Sequence, residues 1–164
     1  MRILGISGSL QQRSGNLLLL ETAAKATPAG VRLEIFDGIR DLPHFDPDIE
    51  KHGPAPVSVI ALRRAIADSD ALLIASPEYG HSLPGALKNA IDWLIGSAEL
   101  ESKLIAITAA VPGPERGRLG LKALRDTLGA VSARVAGGEP IARGSDFERH
   151  VSDLVTELVR AHEP

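Results

Sequence analysis

Two short runs of residues carry the chemistry this chain can do. The first, Ser76-Pro77-Glu78-Tyr79-Gly80-His81-Ser82-Leu83-Pro84, lies between the apolar run Ala71 to Ala75 and an amphipathic stretch that includes Trp93. Pro77 and Gly80 fix or free φ in the turn, and Pro84 suits the first turn of a helix, where a missing N–H costs nothing. A polar loop of this kind at the C-terminal end of a buried strand is where open α/β sheets bind ligands. The second run, Gly8-Ser9-Leu10-Gln11-Gln12-Arg13-Ser14-Gly15-Asn16, follows an apolar strand pattern and leads into a helix. Ser9, Ser14 and Asn16 offer uncharged donors, Gly8 and Gly15 permit close backbone approach, and the helix start adds unpaired N–H groups and a partial positive charge. This composition suits a phosphate. It is neither a Walker A sequence, which needs G-K-[ST], nor the dinucleotide fingerprint G-x-G-x-x-G, because Gly5, Gly8 and Gly15 are wrongly spaced. Taken alone, the run reads equally well as a serine-rich helix cap.

The elements that position these loops alternate regularly. Arg2 to Ser7 reads as strand one and Leu17 to Ala26 as a helix. Val31 to Phe36 alternates apolar and polar residues, as an edge strand does. The proline-bearing segment Asp37 to Pro56 reads as an ordered surface loop with at most a short turn of helix. Val57 to Ala67 is amphipathic at helical spacing, Ala71 to Ala75 is strand three, and the helix after Pro84 runs to near Gly96. Leu104 to Ala109 follows as a strand, Gly117 to Leu128 as a helix closed by Gly129, Val131 to Val135 as a short strand, and about Asp146 to Ala161 as a last helix. Five strand–helix units predict an α/β protein with a doubly wound, flavodoxin-like, five-stranded parallel sheet in the order 2-1-3-4-5 and helices on both faces. Strands one and three are then neighbours, and the loops after Ser7 and Ser76 flank one crevice. A chain of 164 residues that is 44% hydrophobic is expected to form a single domain, residues 1–164.

Charge and composition narrow the partners. A net charge of −3 with no block of like charges argues against a nucleic-acid surface, and no apolar run approaches a membrane span, so small molecules and a cytoplasmic location are expected. With no cysteine there is no thiol redox chemistry, and any redox activity needs a borrowed cofactor. His44, His52, His81, His150 and His162 lack helical ligand spacing and clustered carboxylates; they read as solvated surface residues, and no metal site is expected.

With both loops placed, the sequence resembles the NADPH-dependent FMN reductase family, which includes quinone, azo-dye and chromate reductases. The sharpest match is S-P-E-Y-G-H-S-L-P-G-A-L-K-N-A-I-D-W against the family's S-P-E-Y-N-x-S-x-P-G-x-L-K-N-A-I-D-W, and the second is G-S-L-Q-Q-R-S-G-N against G-S-L-R-x-x-S-x-N. The resemblance implies that Ser9, Gln11, Ser14 and Asn16 lie at the FMN phosphate and that Pro77, Glu78, Tyr79, Gly80 and His81 line the isoalloxazine. It also implies NADPH or NADH as hydride donor to flavin N5, a quinone-like or other small electron acceptor that then takes the same space, and a homodimer or homotetramer. The flavin carries such chemistry, so no catalytic acid or base is expected of the protein. Glu78 is expected to point outward or to be hydrogen-bonded, and Tyr79 either stacks near the ring or closes the loop. Lys88 and Asp92, one turn apart, read as a solvent-facing or subunit-contact pair. Arg116 and Arg118, in the proline-rich run from Val111 to Gly120, suit nucleotide phosphates but are equally ordinary at a helix start.

Two departures from the family pattern stand out. Gln11 replaces the phosphate-loop arginine, with Arg13 two residues on as a substitute, and Gly80-His81 replaces the usual Asn and the common Gly after it. The alternatives to a reductase are a flavodoxin-like single-electron carrier and a binding homologue that has lost its flavin. A net charge of only −3 and 3% aromatic residues weigh against the carrier.

Overall fold

The computed structural model describes residues 1–113 and 115–162. Its elements in chain order are β1 (Arg2–Ser7), α1 (Gly15–Lys25), β2 (Arg32–Phe36), α2 (Pro47–His52), α3 (Val57–Ala67), β3 (Ala71–Ala75), α4 (Gly85–Asp92), β4 (Leu104–Val111), α5 (Arg118–Ala130), β5 (Arg134–Ala142) and α6 (Phe147–His162), with a 3₁₀ turn at Gly38–Asp41. The five strands form one sheet in the order β2-β1-β3-β4-β5, and every pairing is parallel. The order is the expected one, and β2 is an edge.

Strand side chains alternate between two cores, one on each face. Leu4 and Ile6 of β1, Leu72 and Ile74 of β3, and Ile105 and Ile107 of β4 meet α3, α4 and α5 on one face. Ile3, Ala71, Leu73, Leu104 and Ala106 meet Leu19, Leu20 and Ala23 of α1 and Val151, Val155 and Leu158 of α6 on the other. The central strands are apolar on both sides because both faces are covered.

The structure moves several expected boundaries. Strands one and three and the helix Val57–Ala67 begin and end as predicted. The segment Asp37 to Pro56 holds two short helical pieces rather than at most one. The helix after Pro84 stops at Asp92 and continues only as turns to Ser97, with Pro84 itself as its cap. Gly129 lies inside α5, and the chain leaves that helix through Ser132 at φ 57°. The fifth strand is Arg134–Ala142 rather than Val131 to Val135: Val131 caps α5, Ser132 and Ala133 lead out of that helix, and a register shift between Ile107 and Ala109 carries the strand past Gly137 and Gly138, both at positive φ.

Candidate cofactor site at the ends of strands one and three

The two ligand loops are joined at their roots. Gly8 N–H donates to the Ala75 carbonyl at 2.8 Å, continuing the β1–β3 ladder past the strand ends, and Ser76 N–H donates to the Thr108 carbonyl at 2.9 Å. A Cβ on Gly8 would stand 2.8 Å from Ser76 Oγ and 3.2 Å from Ser76 Cα, so only glycine lets the loops approach this closely.

The first loop spends its acceptors on itself and keeps donors free. Ser14 is the N-cap of α1, with φ −79° and ψ 147°, and its Oγ accepts from Leu17 N–H at 3.0 Å. Ser9 Oγ accepts from Gln11 N–H at 3.2 Å. In both serines the hydroxyl proton is left to donate. Asn16 is 4% exposed, and its Oδ1 accepts from Ala110 N–H at 2.9 Å, which anchors the start of α1 to the end of β4. No described residue accepts from Asn16 Nδ2, nor from the N–H groups of Gly15 and Asn16 in the first turn of α1. Hydroxyls, an amide and helix-start N–H groups form a neutral, donor-rich cradle, the chemistry a phosphate dianion requires. Gln11, by contrast, is exposed at the rim.

The second loop is a hairpin. Tyr79 and Ser82 exchange both backbone hydrogen bonds at 3.0 Å, and the two residues between them, Gly80 at φ 56° and His81 at φ 63°, are both left-handed. Positive φ at both central positions marks a type I′ turn, for which Asn-Gly is the commonest pair. Gly80 and His81 meet the same demand, because glycine takes positive φ freely and histidine is among the residues enriched there. Both stand exposed to solvent, as does Tyr79, at 56%.

Glu78 is partly buried and held by hydrogen bonding. Its Oε2 accepts from Gly120 N–H in the first turn of α5 at 2.9 Å, and its Oε1 lies 3.4 Å from His81 Nδ1. A carboxylate at the positive end of a helix is favourably placed, so Glu78 ties the hairpin to α5, the hydrogen-bonded one of its two expected placements. Gly120 has no room for a side chain, since a Cβ would lie 2.9 Å from both Cα and Cβ of Glu78. Sequence reasoning passed over Gly120, whose only signal was a glycine in an otherwise good helix.

Asn89 and Trp93 of the long motif do their work behind the site. Trp93 is fully buried, and its Nε1 donates to the Pro43 carbonyl at 2.8 Å, as does Asn89 Nδ2 at 2.9 Å. Asn89 Oδ1 accepts from Phe45 N–H at 2.8 Å, and the Phe45 ring meets Trp93 edge-on with centroids 5.2 Å apart. These contacts pin the long segment after β2 against α4. Arg40, on the 3₁₀ turn, donates from Nη2 to the Leu10 carbonyl and so braces the first loop. Lys88 and Asp92 form an i,i+4 ion pair at 2.6 Å. Arg118 pairs with Glu139 at 2.8 Å, Arg116 is exposed, and Pro114 between them and Val111 lies outside the described residues. All five histidines are exposed, and the described residues hold no cluster of three or more metal-ligating side chains.

A model of the family described as NADPH-dependent FMN reductase matches residues 1–147. The chain belongs to that family. It is similar to a quinone reductase of Escherichia coli (strain K12), with 30% identity over 161 residues that cover 97% of this chain and 85% of the relative. Among solved structures it resembles the flavoenzyme NAD(P)H:(acceptor) oxidoreductase FerB of Paracoccus denitrificans, with a TM-score of 0.86, 27% identity, and coverage of 98% of this chain and 96% of that one. An oxidised flavodoxin from Bacillus cereus shares the fold, with a TM-score of 0.69 at 16% identity and 98% coverage of each chain. FMN, with NADPH or NADH as donor, is the family's redox equipment. The donor cradle of the first loop and the adjoining hairpin fit a flavin mononucleotide in kind: neutral donors for its phosphate and backbone-rich walls for its ring.

Proposed function

We propose that this FMN reductase family member binds FMN across the crevice between the loops after β1 and β3, with Ser9, Gln11, Ser14 and Asn16 at the phosphate and Pro77 to His81 along the isoalloxazine. Bound there, FMN supplies two-electron chemistry between NADPH or NADH and a quinone-like or other small acceptor. The protein's own contribution is placement. Ser9 and Ser14 donate their hydroxyl protons and Asn16 its Nδ2, while the carbonyl oxygen of Asn16 stays on Ala110 and keeps the donor aimed. The type I′ turn presents Tyr79, Gly80 and His81 along one edge of the crevice, and Glu78 holds that turn on α5 without placing a free carboxylate at the ring.

The observation that carries the reading is the buried Asn16. Its acceptor is spent on the protein, its donor is spared, and it stands in the first turn of a helix whose N–H groups are likewise unspent. Asn16→Asp keeps the Ala110 contact but replaces the donor by a carboxylate oxygen. The expected result is a fold that survives and an FMN dissociation constant raised at least ~100-fold, from charge repulsion and a lost hydrogen bond. Unchanged FMN affinity in a calorimetric titration removes Asn16 from the site.

The exposed Tyr79 and, on the adjoining first turn of α5, the half-exposed Leu119 leave an apolar margin beside the hairpin. A second copy of the chain packing over this margin supports a homodimer or homotetramer, read directly by light scattering of the purified protein. The single-electron carrier has less support, because Trp93 is sealed beneath Pro43 and leaves Tyr79 as the exposed aromatic at the hairpin. Among the described residues no helix is long and apolar enough to cross a membrane.

A further inference from the structure

A guanidinium reaches the start of α1 from outside the first loop. Arg143 follows directly on β5, and its N–H donates to the Val111 carbonyl at 2.8 Å, so its backbone is fixed to the end of β4. Its side chain runs back across Gly15, the first residue of α1: Cδ lies 3.3 Å and Nε 3.6 Å from where a Gly15 Cβ would sit. With Gln12, Arg13, Ser14, Gly15 and Glu21 it borders a cavity of about 370 Å³ beside the helix start.

The position is an exposed one that favours an anion. The N-terminal turn of a helix is the positive end of its dipole, and a guanidinium there is repelled unless an anion lies between them. Among the described residues neither Arg143 nor Arg13, the two arginines bordering the cavity, makes an ion pair, so both charges are open to an anion there. The spare Nδ2 of the 4%-exposed Asn16, one residue on from Gly15, leaves a further donor open to an incoming acceptor at the same turn. Arg40, the guanidinium on the opposite flank of the loop, is already engaged with the Leu10 carbonyl.

We propose that Arg143 replaces the phosphate-loop arginine, contributing from the end of β5 the positive charge that Gln11 lacks, and so sets this chain's preference for the phosphorylated flavin. Gly15 is part of the arrangement, since a side chain there would press on the arginine stem at 3.3 Å. This rests on the FMN reading above. A charge delivered from β5 rather than from within the loop leaves Gln11 free to stay at the rim.

The test compares FMN with riboflavin, which differ by the phosphate alone. Dissociation constants for both are measured by flavin fluorescence quenching with the wild-type chain, Arg143→Gln, Arg143→Lys and Arg13→Gln, at low and at high salt. Removing one charge-assisted contact is expected to weaken FMN binding by about 10- to 100-fold in Arg143→Gln. Riboflavin affinity should stay the same, the lysine variant should recover part of the loss, and the salt dependence of FMN binding should become shallower. Arg143 is exposed, so its variants should melt as the wild type does. An unchanged FMN-to-riboflavin ratio in Arg143→Gln overturns the assignment, as does a loss that falls on Arg13→Gln instead. A wild-type chain that binds neither flavin overturns the FMN reading itself, and Arg143 with it.

Discussion

The contact between Gly120 and Glu78 allows a sharp separation of stability from function. In Gly120→Ala the new methyl would sit 2.9 Å from Cα and Cβ of Glu78, and the hairpin must retreat by at least ~0.5 Å to reach the 3.4 Å at which ordinary van der Waals contact begins. Overpacking of this kind costs about 1–3 kcal/mol, while exchanging glycine for alanine in a helix returns up to about 1 kcal/mol. The net loss of stability is therefore about 0–3 kcal/mol. The displacement, however, is delivered to the backbone of Glu78 and so to Pro77 through His81, and the 2.9 Å bond from Gly120 N–H to Glu78 is bent with it. Misplacing a reacting group by a fraction of an ångström to about 1 Å costs one to two orders of magnitude in rate, so FMN affinity and the NADPH-driven reduction rate should each fall about tenfold. Gly129→Ala is the matched control. It lies in the same helix with open space on every side of where a Cβ would stand, and should raise the melting temperature slightly while leaving FMN affinity alone. Stopped-flow reduction of the FMN-loaded proteins, paired with thermal melts, reads both quantities. A Gly120→Ala protein that behaves like Gly129→Ala would refute the idea that α5 positions the hairpin.

Two further substitutions probe the same frame. Gly80→Val places a β-branched residue at φ 56°, a strain of about 1–3 kcal/mol, and because the turn is exposed the chain should remain folded while FMN binding suffers more than stability; equal FMN affinity in the folded variant would reject the turn as part of the site. Trp93→Phe removes the Nε1 bond to the Pro43 carbonyl from a fully buried position and should cost about 2 kcal/mol, with faster hydrogen exchange around Pro43 to Phe45; unchanged exchange there would show that Asn89 alone holds the segment.

Much of the architecture was legible because both faces of the sheet are covered. Continuous apolar runs such as Leu72-Leu73-Ile74 suit a doubly buried strand, and their alternation with amphipathic helices favoured the observed strand order. The last strand was read three residues early and too short: Val131 to Ala133 form the exit of α5, Gly137, Gly138 and Pro140 interrupt the apolar pattern of the true strand, and only the β4 pairing shows that the break is a register shift. Gly129 looked like a helix stop, yet the residue that takes the left-handed conformation is Ser132, since the exit from α5 is set by its packing on β5 rather than by the nearest glycine. At the site, Gly80 was visible as a source of backbone freedom. That His81 shares its sign of φ depends on the Tyr79–Ser82 pairing and is not written in residue type. Asn89 and Trp93 were legible as motif but not as purpose, because their partner, Pro43, is far along the chain and joins them only through the fold. Gly120 and Arg143 escaped for the same reason: what each does is defined by one neighbour that no local pattern reveals.

The most direct test of the account is the visible spectrum of the chain after reconstitution with FMN and desalting, followed by anaerobic addition of NADPH and then NADH. Oxidised flavin is expected to stay with the protein and to bleach with a nicotinamide donor. Flavin that is retained but remains oxidised with both nucleotides would contradict the reductase, and a colourless desalted protein would contradict the cofactor site itself.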